Sequence, residues 1–383
     1  MPVINTPEKK NRLKEVALVF FRLGCFAFGG PAAHIAMMEQ EIISKRKWMS
    51  SEHFLDLMGA TNIIPGPNST EMTMHCGYER AGKAGLVVAG VCFIFPAVII
   101  TGLLAWFYTT YGNLPEVAPF LNGIKPAVLA IIAQAILKLG KKALKTIEIT
   151  IIGIVITLLV LAGIHEITAL LGAGIMGALY FTLKKKYFQK APVWTPVLLL
   201  PTLLKTGVSG LSTSKLFFVF LKTGAVLYGS GYVLFAYLDA ELVGRGWLTR
   251  SQLLDAIAAG QFTPGPVLST ATFIGYQLQG ISGAFVATAG IFLPSFLFVL
   301  ILFPLIPKLR QYAFTGYFMD SVNVAAVAVM VAVLINLGIE TMRDWQSVLI
   351  AGLSFLSVFI LKKANPMWIV LGGSLLGYIL YGW

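Results

Sequence analysis

Residues 61–80 read TNIIPGPNSTEMTMHCGYER, and residues 260–279 read GQFTPGPVLSTATFIGYQLQ. Each is an apolar stretch broken by Pro-Gly-Pro, at Pro65-Gly66-Pro67 and at Pro264-Gly265-Pro266. Proline removes a backbone donor and stops the helix before it, and glycine permits a sharp turn. Proline also suits the first turn of a new helix. Each motif therefore predicts a chain break followed by a half-helix. Gly29-Gly30-Pro31 makes a similar break nearer the N-terminus. Its counterpart, Gly229-Ser230-Gly231, lacks the proline.

The match extends well beyond the motif, at an offset of about 200. Phe20, Gly24 and Gly29 recur as Phe220, Gly224 and Gly229, and Glu41 recurs as Glu241. Arg46, Trp48 and Asp56 recur as Arg245, Trp247 and Asp255. Gly77-Tyr78, Gly82, Gly85 and Pro96 recur as Gly275-Tyr276, Gly280, Gly283 and Pro294. Arg22 pairs with Lys222, so a cation is kept. Apolar composition aligns any two helices, but it does not reproduce Pro-Gly-Pro, Arg-x-Trp and paired acids in register. The chain is read as a duplication, with repeats at 1–190 and 214–383 joined by a Pro-rich apolar linker at 191–213.

Composition sets the medium. Of 383 residues, 57% are hydrophobic and 12% charged, with mean hydropathy +0.80. Soluble domains carry about 25% charged residues. The expected fold is an all-α integral membrane protein, which excludes a soluble enzyme, a disulfide scaffold and a disordered chain. Spans of roughly 20 apolar residues fit near 84–111, 117–137, 147–164, 166–183, 283–306, 316–338, 345–361 and 364–382. Cys25, Cys76 and Cys92 read as buried inert thiols. His53, His75 and His165 lack metal-ligand spacing, so no metal, cofactor or catalytic residue is expected.

The excess of 29 Lys and Arg over 17 Asp and Glu, a net +12, is patterned rather than spread. It suits membrane orientation and anionic ligands rather than nucleic acid. In the first half the loop at 77–85 is basic, 112–117 is not, 138–145 is, and Lys184–Lys186 follow. In the second half 275–283 carries no cation, 307–310 carries Lys308 and Arg310, and 340–344 only Arg343. The alternation reverses, so the repeats are expected to be inverted, with the linker as an extra crossing. Inverted repeats are a common plan for secondary transporters. The charge rule also favours 15–46 and 50–80 as helical hairpins that dip in and return, over kinked spans.

Broken backbone at membrane depth survives only in protein or around a polar cavity. Half-helix N-termini each carry roughly half a positive charge and unpaired N–H groups. Four of them sum to about +2, which suits a dianion. Candidate ligands are Arg22, Lys222, the breaks at Gly29, Gly30, Pro31 and Gly229, and His34 in the first turn after Pro31. The motifs Pro65-Gly66-Pro67 and Pro264-Gly265-Pro266 join them, with Asn68, Ser69 and Ser269 just beyond. Intramembrane cations usually face a cavity or a partner, although Arg22 can also snorkel or pair with Glu15. Glu41, Arg46, Trp48 and Asp56, with Glu241, Arg245, Trp247 and Asp255, read either as membrane-face salt bridges or as a gate and proton-coupling group. Lys125 has Asn323 as its repeat mate and no evident role.

At these residues the sequence resembles the chromate ion transporter family. The pattern is Phe21-Arg22-Leu23-Gly24, Phe28-Gly29-Gly30-Pro31, His34, Glu41, Arg46-Lys47-Trp48, Asp56 and Pro65-Gly66-Pro67, repeated from Phe220 to Pro294. The resemblance implies a multi-pass carrier of the prokaryotic inner membrane, in the long fused form. It would export chromate, a tetrahedral dianion resembling sulfate, driven by membrane potential with proton coupling left open. A sulfate or other oxyanion carrier is the alternative, and a homodimer is compatible with either. An intramembrane enzyme would need a nucleophile–base pair or clustered metal ligands. A structural membrane protein would not need intramembrane cations.

Overall fold

The computed structural model describes residues 6–28, 30–61, 64–112, 114–187, 211–228, 231–302, 313–360 and 366–382. All its regular elements are helical, and five helices are long and apolar enough to cross a membrane. Large apolar side chains face outward, among them Ile147, Phe285 and Ile339, each at least 70% exposed. Such a surface belongs against lipid. The chain is an all-α membrane protein built of two repeats.

In the first repeat, α1 (Thr6–Phe26) ends before the Gly30-Pro31 break, and α2 (Pro31–Met38) starts with Pro31 in its first turn. A π-helical turn (Glu39–Lys45) continues α2, and α3 (Ser51–Thr61) follows. α4 (Asn68–Tyr111) is continuous in sequence but not in direction. Ala81 and Gly82 leave the helical region, with Gly82 at φ 65, ψ −154. That region is essentially open only to glycine. Beyond it Gly77 lies against Gly85 and Ala89, and Met74 against Gly90. Contacts between residues that far apart in one helix require a U-turn, so 68–80 and 83–111 run antiparallel. α5 (Ala118–Ala143), α6 (Ile147–Leu161) and α7 (Glu166–Tyr187) complete the repeat.

The second repeat restates this plan. α8 (Thr213–Val226) stops at its break, and a 3-10 turn (Gly231–Val233), α9 (Leu234–Leu238) and a π-helical turn (Asp239–Val243) follow. α10 (Arg250–Phe262) leads to Pro264-Gly265-Pro266, then a 3-10 turn and α11 (Thr270–Leu302). α11 makes its own U-turn at Gln279 and Gly280 (φ 61), with Gly275 against Gly283 and Thr272 hydrogen-bonded to Thr288 at 2.7 Å. α12 (Ala313–Thr341), α13 (Trp345–Ile360) and α14 (Pro366–Tyr381) close the chain.

Side-chain pairs fix which loops share an end. Glu15 accepts hydrogen bonds from Arg46, Trp48 and Arg80. Residues 15, 46 and 80 therefore meet, and both 15–46 and 50–80 are hairpins that return to their starting end. From there 83–111 and α5 lead away and back. The far end gathers His165 with Glu241, and Arg250 with Asp239 and Glu340. The 191–210 part of the linker lies outside the described residues, so the extra crossing expected there has no structural counterpart to compare.

Candidate functional site

The four helix breaks meet in the interior, and each Pro-Gly-Pro loop docks on the other repeat. The Gly66 N–H donates to the Leu227 carbonyl at 2.6 Å, and the Gly265 N–H donates to the Ala27 carbonyl at 3.0 Å. Leu227 and Ala27 are the residues just past the ends of α8 and α1. Each motif thus caps the broken first helix of its opposite repeat. Both glycines have positive φ, 145 at Gly66 and 85 at Gly265. A Cβ on Gly265 would press on Ala97 Cβ at 3.2 Å and the Gly24 carbonyl at 3.4 Å, so the loop reaches its acceptor only as glycine.

His34 ties the first repeat together at this point. It is 1% exposed, with Nε2 3.0 Å from the Ala27 carbonyl and Nδ1 3.1 Å from Ser69 Oγ. A carbonyl only accepts, so Nε2 carries the proton and Nδ1 accepts from the Ser69 hydroxyl. The Ala27 carbonyl therefore receives two donors, one from each repeat. The ring also packs edge-on against Phe93 at 5.4 Å. Across the repeats, Thr101 Oγ1 of α4 stands 3.1 Å from Ser269 Oγ and 3.3 Å from Thr263 Oγ1. Tyr232 occupies the region where the first repeat has proline and histidine, and its hydroxyl lies against Gly30.

Both ends carry a carboxylate held by several cations. At the first, Glu15 takes Arg46 at 3.0 Å and Arg80 at 2.7 Å, while Glu41 takes Lys45 at 3.0 Å and Arg46 at 3.1 Å. Arg80 also stacks over the Trp48 ring at 5.4 Å. Hydrogen bonds from Lys45 and, against some burial, from Arg46 hold the Glu41 carboxyl below its ordinary range. At the other end the fully buried Glu241 side chain takes Lys222 at 2.6 Å, Arg245 at 2.7 Å and His165 at 3.4 Å. Burial opposes its ionisation, but the bonds from His165, Lys222 and Arg245 outweigh it and bring it down to about 2. Arg245 covers Trp247 at 5.5 Å. The same end opens into a cavity of about 330 Å³ whose lining includes Asn122, Lys125, Arg250, Arg343 and Asp344. Asp255 lies beside Lys125, accepting from Tyr108 at 2.8 Å with Lys125 at 3.9 Å.

The expected site residues thus fall into two sets. Gly30, Pro31, His34, Pro65, Gly66, Pro67, Asn68, Ser69, Pro264, Gly265, Pro266 and Ser269 belong to the crossed breaks. Glu41, Arg46, Trp48, Glu241, Arg245 and Trp247 belong to the two ends, with Lys222, which Glu241 holds. Arg22 joins neither. It is exposed on the side of α1 that carries Leu18 (62% exposed) and Phe26 (67% exposed), with no ion-pair partner among the described residues. Gly29, Gly229 and the Asp56 side chain lie outside the described residues. The N-terminus of α4 has no side-chain cap; Ser69 turns to His34 instead. Glu15, Thr101 and Tyr108 went unselected in the sequence. Glu15 alone left a signal, an acid at the point where the basic leader meets the apolar run.

The family model described as Chromate transporter matches residues 14–178 and 214–378. A probable chromate transport protein of Synechococcus elongatus is 28% identical, over 92% of this chain and 92% of its own. A chromate transport protein of Pseudomonas aeruginosa is 29% identical, over 94% of this chain and 91% of its own. A chromate transport protein of Cupriavidus metallidurans is 27% identical, over 96% and 93%. No solved structure matches the chain.

Proposed function

The chain belongs to the chromate transporter family, in its long two-repeat form, and on that footing we propose that it carries chromate out of a prokaryotic cell across the plasma membrane. The crossed helix breaks carry this reading. Irregular backbone at membrane depth has a use where it can bind a polar solute, and carriers with repeated halves bind between them. The N-termini of α2, α4 and α11 converge there, offering N–H groups and partial positive charge to a tetrahedral dianion. Asn68, Ser69 and Ser269 add polar contacts, while Arg22, exposed on the outer side of α1, and Lys222, held by Glu241, would add charge along the approach rather than at the breaks themselves. Outward movement of a dianion is electrically downhill, each charge gaining roughly 2.3 kcal/mol per 100 mV.

The reading includes an inverted arrangement. It is supported by Arg46 and Arg80 sharing one end with Glu15, whereas Arg245 and Arg250 share the other with His165 and Glu340. The end rich in Lys and Arg is then cytoplasmic, and the linker at 191–213 supplies the odd crossing. The clusters of Glu41, Arg46 and Trp48 and of Glu241, Arg245 and Trp247 act as gates at opposite mouths. Asp255, which accepts from Tyr108 near Lys125, and Asp56, its repeat mate, are the groups to which the reading gives proton passage.

Reconstitution into liposomes tests the assignment. Chromate flux is expected to depend on voltage and to be competed by sulfate. Absence of flux for any oxyanion would sink the transporter reading. Single cysteines placed at 46 and 245 are expected to react from opposite sides; reaction from one side would overturn the inversion.

A further inference from the structure

Glu71, in the first turn of α4 after Pro67, is 0% exposed, and neither carboxyl oxygen has a hydrogen-bond partner. It does not stand alone. Thr70 Oγ1 and Ser295 Oγ are also buried without partners. Ser295 belongs to α11 of the other repeat. Its hydroxyl and a Glu71 carboxyl oxygen both crowd the point where a Cβ on Gly66 would sit, the hydroxyl 2.7 Å from it. Two of these unpartnered oxygens, one from each repeat, therefore converge on the middle of a Pro-Gly-Pro loop, with Thr70 the residue before Glu71. Buried polar groups are almost always satisfied, so the cluster is built for something that binds.

The chemistry of the cluster narrows what that is. An ionised carboxylate here would be an uncompensated buried charge, which is very costly. Among the described residues no lysine or arginine faces it. The other titratable groups around it are Tyr228, from the break of the second repeat, and His75, one turn along its own helix. A carboxylic acid kept neutral by its surroundings is a hydrogen-bond donor. With the Ser295 hydroxyl it makes two O–H donors from opposite repeats and no competing cation among the described residues, which fits the oxygens of an oxyanion.

Building on the transport reading above, we propose that Glu71 carries the proton that admits the oxyanion to this site. The bookkeeping is one proton per anion. A hydronium ion from the solution gives its proton to the carboxylate, leaving water, and the resulting O–H donates to an anion oxygen. When the anion leaves, the carboxyl can return its proton to water. In the ionised form the same residue repels the anion.

Sulfate is the probe of choice, because chromate itself takes up a proton near neutrality and sulfate does not. Its binding to the full-length protein in lipid nanodiscs is measured by calorimetry from mildly acidic to mildly alkaline pH. The wild type is expected to lose about tenfold in affinity per pH unit above the titration of Glu71. Glu71→Gln, neutral at every pH, should keep the acid-side affinity throughout, and Glu71→Asp should keep a slope. An equal slope in wild type and Glu71→Gln overturns the proposal, as does a wild type with no slope. The infrared spectrum, read on the same samples without ligand, separates this from the transport reading. A protonated carboxyl C=O band at neutral pH that disappears in Glu71→Gln supports the buried proton, and an unchanged band overturns it. If neither sulfate nor chromate binds while that band is lost, the transport reading fails and the proton on Glu71 stands.

Discussion

His34 has both ring nitrogens engaged, which sets what its removal costs. His34→Ala leaves the Ser69 hydroxyl without its acceptor and the Ala27 carbonyl with one donor instead of two, both buried. The expected loss is about 2 kcal/mol, read as a lower melting temperature in detergent, with flux falling alongside. Arg22 poses the opposite test. It is exposed, so Arg22→Ala should leave folding intact while abolishing chromate flux; near-normal flux would remove it from the transport path. Glu241 gives a pH dependence. Its carboxyl ordinarily titrates near 4.5 and in the folded protein near 2. The stabilisation is complete above the higher value and is lost as pH falls towards the lower one. Melting curves should show that loss, and Glu241→Gln should flatten it while costing on the order of 3 kcal/mol at neutral pH. Residue roles were the least legible part of the sequence. Spacing placed His34 in a first turn, but nothing local announces that its partners are Ala27 and Ser69. Glu15 finds Arg46 and Arg80 rather than Arg22, because partner choice depends on how the hairpins fold back.

At the scale of elements the sequence was far more informative, because prolines and glycines act locally. Pro31 and Pro67 mark helix starts as chain chemistry requires, and the clustering of Lys and Arg favoured hairpins over kinked spans. The loop expected at 77–85 is a U-turn in the structure. It separates a re-entrant piece from a span within Asn68–Tyr111, at Ala81 and at Gly82, whose positive φ only glycine takes readily. Its counterpart Gly280 has open space around it, so a methyl group there meets nothing and the whole cost is backbone. Gly280→Ala is expected to destabilise by roughly 2 kcal/mol. Gly265→Ala should do more harm at similar backbone strain, since its Cβ also presses on Ala97 and separates the loop from Ala27. The two melting temperatures, compared with flux, check this ordering.

For the molecule as a whole, internal duplication was plain in the sequence, whereas the mutual docking of the halves was not. The bonds from Gly66 to Leu227 and from Gly265 to Ala27 join residues more than 150 positions apart, and no periodicity records them. They imply that neither half is complete alone. Residues 1–190 expressed without 214–383 should give no flux, and co-expression should restore both co-purification and transport. The Ala27 carbonyl gives this dependence a further meaning. Its two lone pairs are taken by His34 of one half and Gly265 of the other. Displacing either donor weakens the seat of its neighbour, so a rearrangement begun in one half is felt immediately in the other. A carrier that must never leak needs its two doors wired so that opening one bolts the other. A single backbone oxygen with two claimants is the smallest interlock from which such wiring could be made.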